Sequence, residues 1–166
     1  MQPSPNVHPP RAAGDDGLLA RFIDRSRVRT AVHVSSKKRL IEEVADLLSS
    51  YSPELDRDTV FQILNQRERL GSTGIGDGFA IPHGRINGID QPIICAMLLD
   101  QGMDFDAIDN RPVRCVVGLL VPADANQTHL QILARLARAF SQPEVQQRIM
   151  ACEDDESFFD AVTHLE

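Results

Sequence analysis

Residues 71–84 read GSTGIGDGFAIPHG and carry the strongest local signal in the chain. Glycines recur through this stretch, and glycine permits positive φ angles and a close approach of backbone N–H groups to an anion. A short apolar, strand-like piece follows and ends at Pro82, which restricts the backbone just before His83. We therefore expect an anion-friendly turn beside one histidine. A neutral imidazole held in this way is a candidate nucleophile or acid–base group.

Two common phosphate-binding motifs do not fit this stretch. A Walker loop requires Gly-Lys-Ser/Thr, and residues 71–84 contain no lysine. The dinucleotide-binding fingerprint requires a helix directly after its glycines. Here Gly74, Gly76 and Gly78 alternate with other residues, and Pro82 would interrupt such a helix. A bound nucleotide is therefore not expected.

The composition is that of one globular domain with 166 residues, 42% of them hydrophobic and 25% charged. No apolar run approaches the ~20 residues of a membrane span, so we expect no membrane insertion. The net charge of −7 disfavours nucleic acid, whose phosphates attract clustered Lys and Arg. Cys95, Cys115 and Cys152 are widely spaced and predict reduced thiols in the cytoplasm, rather than disulfides or a zinc site. We expect no metal and no cofactor.

Three segments have the patterns of β-strands. Residues 28–34 alternate apolar and polar side chains, which is typical of a half-buried strand. Residues 92–99 and 113–121 are nearly continuous apolar runs, which indicate strands buried on both faces. Helices on both sides of the sheet are needed to cover such strands.

Apolar residues at helical spacing predict five helices around these strands. The first begins at Ser35 or Ser36 and the second at Asp56 or Asp58, because these side chains can cap a helix. The inward stripe predicted for the third comprises Leu130, Leu133, Leu136, Ala137 and Phe140. Ser141–Glu144 reads as a capping box for the fourth, and Asp154 can cap the fifth.

Several blocks of the chain, in order, resemble the enzyme IIA components of the phosphoenolpyruvate phosphotransferase system. The chain resembles the mannitol/fructose class of these components, and its sequence motifs are most similar to those of the nitrogen-regulatory type. The blocks are Arg67-Glu68, GSTGIG at 71–76, FDAIDN at 105–110, LVPAD at 120–124 and Thr128-His129-Leu130. The resemblance implies a single three-layer α/β/α domain, with a mixed central sheet flanked by helices on both faces, over residues 18–166. Residues 1–17, rich in proline, are predicted to form a disordered N-terminal tail.

The resemblance also implies which residues carry the chemistry. His83 takes the position of the histidine that accepts a phosphoryl group, at Nε2, from the phosphohistidine of an HPr-like carrier protein. His129 matches the second histidine of the active centre, and Arg67 matches its arginine, although Arg69 competes for that role. The glycine-rich stretch would supply a phosphoryl-binding loop of Ser72, Thr73, Gly74, Gly76 and Gly78.

These residue types suit phosphoryl transfer, which requires alignment and stabilisation of charge on the three equatorial oxygens. Burial would keep His83 unprotonated, and a backbone carbonyl is the expected acceptor for its other nitrogen. His129 lies at the start of a predicted helix, where protonation is disfavoured, so we expect a neutral hydrogen-bond donor there. Arg67 supplies a permanent charge and a forked pair of donors.

The function implied by the resemblance is that of a regulator whose phosphorylation state controls partner proteins. Potassium transport systems and sensor kinases are the implied classes of target, and Ile75 and Phe79 are candidates for an apolar docking patch. The alternative is a sugar-specific enzyme IIA that passes the phosphoryl group to a IIB domain. A pure binding module would not need both histidines, and a metal hydrolase would need a closely spaced histidine pair that the chain lacks.

Overall fold

The computed structural model describes residues 19–165, except for the side chain of residue 126, so the predicted tail at residues 1–17 lies outside the described residues. The strands are β1 (Ile23–Val32), β2 (Gly74–Gly76), β3 (Phe79–Ala80), β4 (His83–Ile86), β5 (Ile93–Met103) and β6 (Val113–Pro122). The helices are α1 (Lys37–Ser49), α2 (Arg57–Arg69), α3 (Asn126–Phe140), α4 (Pro143–Met150) and α5 (Asp155–Thr163). Among these described residues, no helix is long and apolar enough to cross a membrane.

The strands form one mixed sheet in the order β1-β5-β6-β3-β2, and β4 also pairs with β6. Strand β1 runs parallel to β5, β5 runs antiparallel to β6, and β3 and β4 both run parallel to β6. The two long central strands β5 and β6 are the predicted apolar runs. Every residue from Ile93 to Leu99 is buried, as expected for a strand covered on both faces.

Helices cover both faces of the sheet, which confirms the three-layer α/β/α prediction. Helices α1 and α2 pack on one face of β5 and β6 through Leu40, Val44 and Leu64, against residues such as Cys95 and Met97. The opposite face is covered by α3, α4 and α5. Their contributions include Ile132, Leu136, Val145, Ile149, Phe158 and Val162, packed against Ile94, Ala96 and Val117. Alternate residues of β5 therefore belong to different cores.

Helix starts follow the predicted caps in three cases. The side chains of Ser36, Asp56 and Asp154 accept hydrogen bonds from the backbone N–H three residues later. The capping box predicted at Ser141–Glu144 is wrong, because Gln142 is the N-cap of α4 and makes no side-chain cap bond. The Ser141 hydroxyl instead donates to the carbonyl of Arg138 and ends α3.

Two other predictions need correction. Strand β1 begins at Ile23 and ends at Val32, not at 28–34, because Ile23 is buried and pairs with Ile94, and a register shift separates this pair from that of Val28. The stripe predicted for α3 is confirmed for Leu136, Phe140 and the partly buried Leu133, but wrong for two residues: Leu130 is 64% exposed, and Ala137 is also exposed. The buried face of α3 consists of His129, Ile132, Leu136, Ala139 and Phe140. The helix therefore turns a histidine inward at its start.

Candidate functional site

The glycine-rich stretch is a tight hairpin made by β2 and β3. Gly76 pairs with Phe79 across a two-residue turn, Asp77-Gly78, with φ of 58° and 88°. Two successive positive φ values are what a type I′ hairpin requires, and Asp-Gly is among the sequences that favour it. The carboxylate of Asp109 accepts a hydrogen bond from the Asp77 N–H at 2.9 Å. A neighbouring loop therefore holds the turn in place.

His83 lies where the edge of the sheet is interrupted. Strands β3 and β4 both run along β6, and Ile81-Pro82 separates them. Proline has no N–H to donate to the ladder, but the Pro82 carbonyl still accepts from the Leu119 N–H at 3.0 Å. The Ile81 N–H turns to the other side and donates to the Thr73 carbonyl at 2.9 Å. The sheet thus fixes the backbone on both sides of the break.

The hydrogen bonding of His83 determines which nitrogen is free. Its Nδ1 lies 2.7 Å from the carbonyl oxygen of Ile81. A carbonyl only accepts, so Nδ1 carries the proton and the lone pair of the neutral ring is on Nε2. Burial lowers the pKa of His83, the Arg67 charge lowers it further, and the Ile81 bond and Glu68 oppose the shift. The half-buried ring is therefore neutral, and its Nε2 is free. The prediction that a backbone carbonyl accepts the hydrogen bond from the other ring nitrogen is confirmed.

His129 lies in the first turn of α3 and is almost completely buried, with 8% of its surface exposed. Its Nδ1 accepts a hydrogen bond from Arg85 Nε at 3.3 Å. Its Nε2 is buried and has no hydrogen-bond partner among the described residues. Burial is the main cause that lowers the pKa of His129, and electrostatic coupling to His83, Arg85 and Arg67 acts in the same direction. A neutral second histidine was expected, although from the helix start and not from burial.

The two histidine rings lie close together in an edge-to-face arrangement, and the charge of Arg67 acts on both. Their ring centroids are 5.2 Å apart and the rings are inclined by 76°. The charge of Arg67 lowers the pKa of each imidazole, and its Nη1 donates to the Gly71 carbonyl at 2.9 Å. Gly84 permits the close packing of β4 against α2, because a Cβ at position 84 would collide with Ile63 of α2. The missing side chain lets α2, which carries Arg67, lie directly against β4.

Three of the five predicted loop residues use their donors within the protein. The Thr73 N–H and hydroxyl both donate to the carboxylate of Glu68. The Gly74 N–H donates to the Ser72 hydroxyl oxygen at 3.0 Å, and that hydroxyl donates to the Phe105 carbonyl at 3.1 Å. These groups hold the loop itself together. A phosphoryl-binding role for Ser72, Thr73, Gly74, Gly76 and Gly78 stays a prediction.

Sequence reasoning missed the support beneath this loop, where Glu68 is 7% exposed. Besides Thr73, its carboxylate meets Lys37 Nζ at 2.9 Å, and Lys37 also lies 3.4 Å from Asp106. The Lys37 ammonium lies over the ring of Phe105, 4.7 Å from its centroid. These residues come from α1, α2 and the loop after β5. No local pattern could have predicted that they meet.

Arg85 is the other residue that sequence reasoning missed. It follows His83 by two positions on β4, and side chains two apart on a strand lie on the same face. This period was visible in the sequence, but the four-residue strand was not predicted. The structure places the exposed Arg85 side chain against His129, as described above.

Exposed apolar side chains lie on segments that adjoin the site. Leu70 follows α2, Ile75 lies in β2, Ile108 donates its N–H to the Gly74 carbonyl, and Leu130 follows His129. The exposure of Ile75 agrees with its proposed docking role. The same prediction for Phe79 is wrong. Its ring is fully buried and stacks on Phe140 with centroids 4.3 Å apart, because the short strand β3 faces α3.

Within residues 19–165, no group of three or more His, Cys, Asp or Glu side chains is arranged to hold a metal ion. The family described as "Phosphoenolpyruvate-dependent sugar phosphotransferase system, EIIA 2" matches residues 21–164. The chain belongs to this family, which confirms the resemblance inferred from the motifs.

Individual relatives agree with the family. The "Nitrogen regulatory protein" of Pseudomonas aeruginosa is 39% identical over 148 residues, which is 89% of this chain and 96% of that protein. A "PTS system fructose-specific EIIA component" of Haloferax volcanii is 30% identical over 131 residues, with coverage of 79% and 85%. The crystal structure of the nitrogen regulatory protein IIA-Ntr from Neisseria meningitidis superimposes with a TM-score of 0.81 at 38% identity. That match covers 87% of this chain and 99% of the other.

Proposed function

We infer that this chain is a phosphocarrier of the nitrogen-regulatory enzyme IIA type, which accepts a phosphoryl group on Nε2 of His83 and signals through its phosphorylation state. Family membership supports the phosphotransferase role. The observation that carries the assignment to His83 is its hydrogen bond to the Ile81 carbonyl at 2.7 Å. That bond leaves Nε2 unprotonated in a ring whose pKa is lowered by burial.

The transfer follows from the positions of three side chains. The Nε2 lone pair attacks the phosphorus of the donor's phosphohistidine as the donor's P–N bond breaks, and that electron pair returns to the donor imidazole. The Nδ1 proton of His83 stays in place, and its bond to Ile81 stabilises the positive charge that the ring gains. Arg67 and the Nε2–H of His129 supply charge and a donor for the equatorial oxygens.

The donor that we propose is an HPr-like phosphocarrier protein. The exposed Leu70, Ile75, Ile108 and Leu130 provide apolar surface on segments that adjoin the site, which a protein partner could cover. We propose the cytoplasm as the compartment, because the three cysteines are free thiols, as is usual in a reducing environment.

The regulatory output would depend on charge. A phosphoryl group adds roughly −1.5 to −2 charges at neutral pH. Placed on His83, this charge would change the electrostatics of the site and thereby which partners bind there. Potassium transport systems and sensor kinases are the target classes that we propose.

The competing function is that of a sugar-specific enzyme IIA that passes the phosphoryl group to a IIB domain. This alternative is supported by the similarity to the fructose-specific EIIA component of Haloferax volcanii. Rapid transfer from the phosphorylated chain to a purified fructose- or mannitol-type IIB protein would support this alternative. Stable phosphorylation in the presence of the same protein would support the regulator.

The assignment to His83 is tested by radiolabelling with phosphoenolpyruvate, enzyme I and an HPr-like carrier. His83→Ala is expected to abolish labelling, whereas His164→Ala, which removes an exposed histidine on the C-terminal side, should label like the wild type. Labelled His83→Ala would exclude His83 as the acceptor. Label that is stable in acid would also contradict the proposal, because a phosphohistidine hydrolyses there.

A further inference from the structure

Arg85 occupies a defined place beside the proposed phosphoryl acceptor. It lies two residues after His83 on the same face of β4, and its Nε is 3.3 Å from Nδ1 of His129. The two residues are far apart in sequence and belong to different elements. Of the three residues that sequence reasoning assigned to the chemistry, His129 is the one that Arg85 contacts.

This contact determines the chemical form of His129. A guanidinium donates hydrogen bonds and never accepts them, so Nδ1 must present its lone pair to Arg85. A neutral imidazole then carries its proton on Nε2. That Nε2 is buried and, within the described part of the chain, has no acceptor. A buried N–H without a partner costs free energy, and such groups in native proteins require an explanation.

We propose that Arg85 is a positioning residue that fixes His129 as the Nε2–H tautomer, so that this unpartnered donor is available to a phosphoryl oxygen on His83. The proposal rests on the phosphocarrier function inferred above. The geometry agrees with it, since the two rings are inclined by 76° with centroids 5.2 Å apart. A phosphoryl group on His83 would supply the acceptor that His129 lacks in the unmodified protein.

The charge of Arg85 has a second effect on the same ring. With His83 and Arg67 it adds to the burial that holds the pKa of His129 below its ordinary value. An imidazolium would present protons on both nitrogens, and it could not accept the Arg85 bond. The hydrogen bond and the charge therefore both favour a single neutral form.

Two substitutions separate the hydrogen bond from the charge. In Arg85→Gln the side-chain amide nitrogen is bonded to Cδ, at the position of the arginine Nε, so the donor is kept and the charge is lost. In Arg85→Met the terminal methyl group takes that position, and both donor and charge are lost. Arg57→Met, on α2, is the control for removing a partly exposed arginine that pairs with a neighbouring carboxylate, Asp46.

The first measurement is the tautomer of His129, read from long-range ¹H–¹⁵N correlation of its ring in the unphosphorylated full chain at pH 7.5. Wild type, Arg57→Met and Arg85→Gln are expected to show Nε2–H alone, and Arg85→Met a mixture of tautomers. An Nδ1–H ring in the wild type, or an unchanged ring in Arg85→Met, would overturn the proposal. This measurement does not depend on phosphotransfer.

The second measurement is the rate of labelling by the HPr-like carrier. Arg85→Met is expected to slow transfer about tenfold and Arg85→Gln less than about threefold, because only the former loses the alignment of the donor. In a His129→Ala background, Arg85→Met should cause no further loss, since Arg85 acts through His129. Equal losses in Gln and Met, or an undiminished loss in that background, would overturn the proposal and indicate direct contact with the partner. A wild-type chain that is never labelled would overturn the phosphocarrier function itself.

Discussion

The two histidines of the site are held in different ways. His83 is fixed by its own neighbourhood, since its ring bonds to the carbonyl of Ile81, two residues earlier, on a backbone that β6 holds on both sides of Pro82. His129 is fixed from across the fold, by Arg85 on another element and by its burial on the inner face of α3. The comparison indicates why one ring suits an acceptor and the other a donor. The first leaves a lone pair free at Nε2, and the second leaves a proton there.

The difference between the two rings is tested most directly by removing the donor, His129, and keeping the acceptor, His83. His129→Ala is expected to lower the labelling rate about 100-fold, which is typical of losing one donor to a transition-state oxygen. Labelling should still occur on His83, because the lone pair remains. His164→Ala again serves as control. If His129→Ala abolished labelling altogether, or moved it to another residue, the division of roles between the two rings would be wrong.

The support under His83 can be tested separately. Glu68→Ala removes the acceptor of Thr73 and the buried partner of Lys37, and we expect a loss of about 2–3 kcal/mol in the free energy of unfolding, measured in urea. The matched control is Glu156→Ala, which removes an exposed ion pair with Arg25 and should cost less than about 1 kcal/mol.

An equal, small cost for both glutamates would contradict the importance of the buried network. The comparison of the two histidines would then need another source of rigidity for the segment from Thr73 to His83. A large loss of unfolding free energy for Glu68→Ala alone would support the view that His83 is fixed by its own neighbourhood. Glu68 holds Thr73, the Thr73 carbonyl accepts from the Ile81 N–H, and the Ile81 carbonyl accepts from the His83 ring.

The smallest expected effect is on the pH dependence of stability. Folding lowers the pKa of both His83 and His129 from the ordinary value of 6.5. Below that pH the unfolded chain binds protons that the folded chain does not, so the free energy of unfolding falls as the pH decreases. The slope is limited to about 1.4 kcal/mol per pH unit for each histidine. Above pH 6.5 this contribution is present in full.

The double variant His83→Asn/His129→Asn is expected to flatten this dependence between pH 6.5 and 5.5, as measured by urea unfolding. The groups that face the rings, Arg67, Glu68 and Arg85, are retained, so any remaining slope comes from the other titratable groups of the chain. Identical slopes in the wild type and the double variant would contradict the neutral state assigned to both rings.

Local features of the site could be predicted from the sequence, and long-range features could not. The turn, the strand break at Pro82 and the carbonyl acceptor of His83 all arise within a few residues of one another. Arg85 was within reach of the period-two rule, but β4 is too short to be recognised as a strand. Lys37 and Glu68 meet only because α1 and α2 pack together on one face of the sheet, and no spacing in the sequence encodes that contact.

The errors in the helices have the same origin. The inward face predicted for α3 wrongly included Leu130 and Ala137, because only apolar residues were counted and His129 was left out. The buried face in fact starts with the ring of His129, whose buried Nε2 has no hydrogen-bond partner among the described residues. At Ser141 a hydroxyl suited to begin α4 is used by the carbonyl of Arg138 in the preceding helix, since both lie within one turn. Functional and competing local contacts therefore override the simple patterns.

The contact between Gly84 and Ile63 has a consequence for the tolerance of the site. Strand β4 and helix α2 can lie at their observed spacing because Gly84 has no Cβ. Any side chain at position 84 would push the helix outward as a rigid rod, and Arg67 would move with it while His83 stayed in the sheet. One added methyl group that takes no part in the reaction would thus increase the distance between the positive charge of Arg67 and Nε2 of His83.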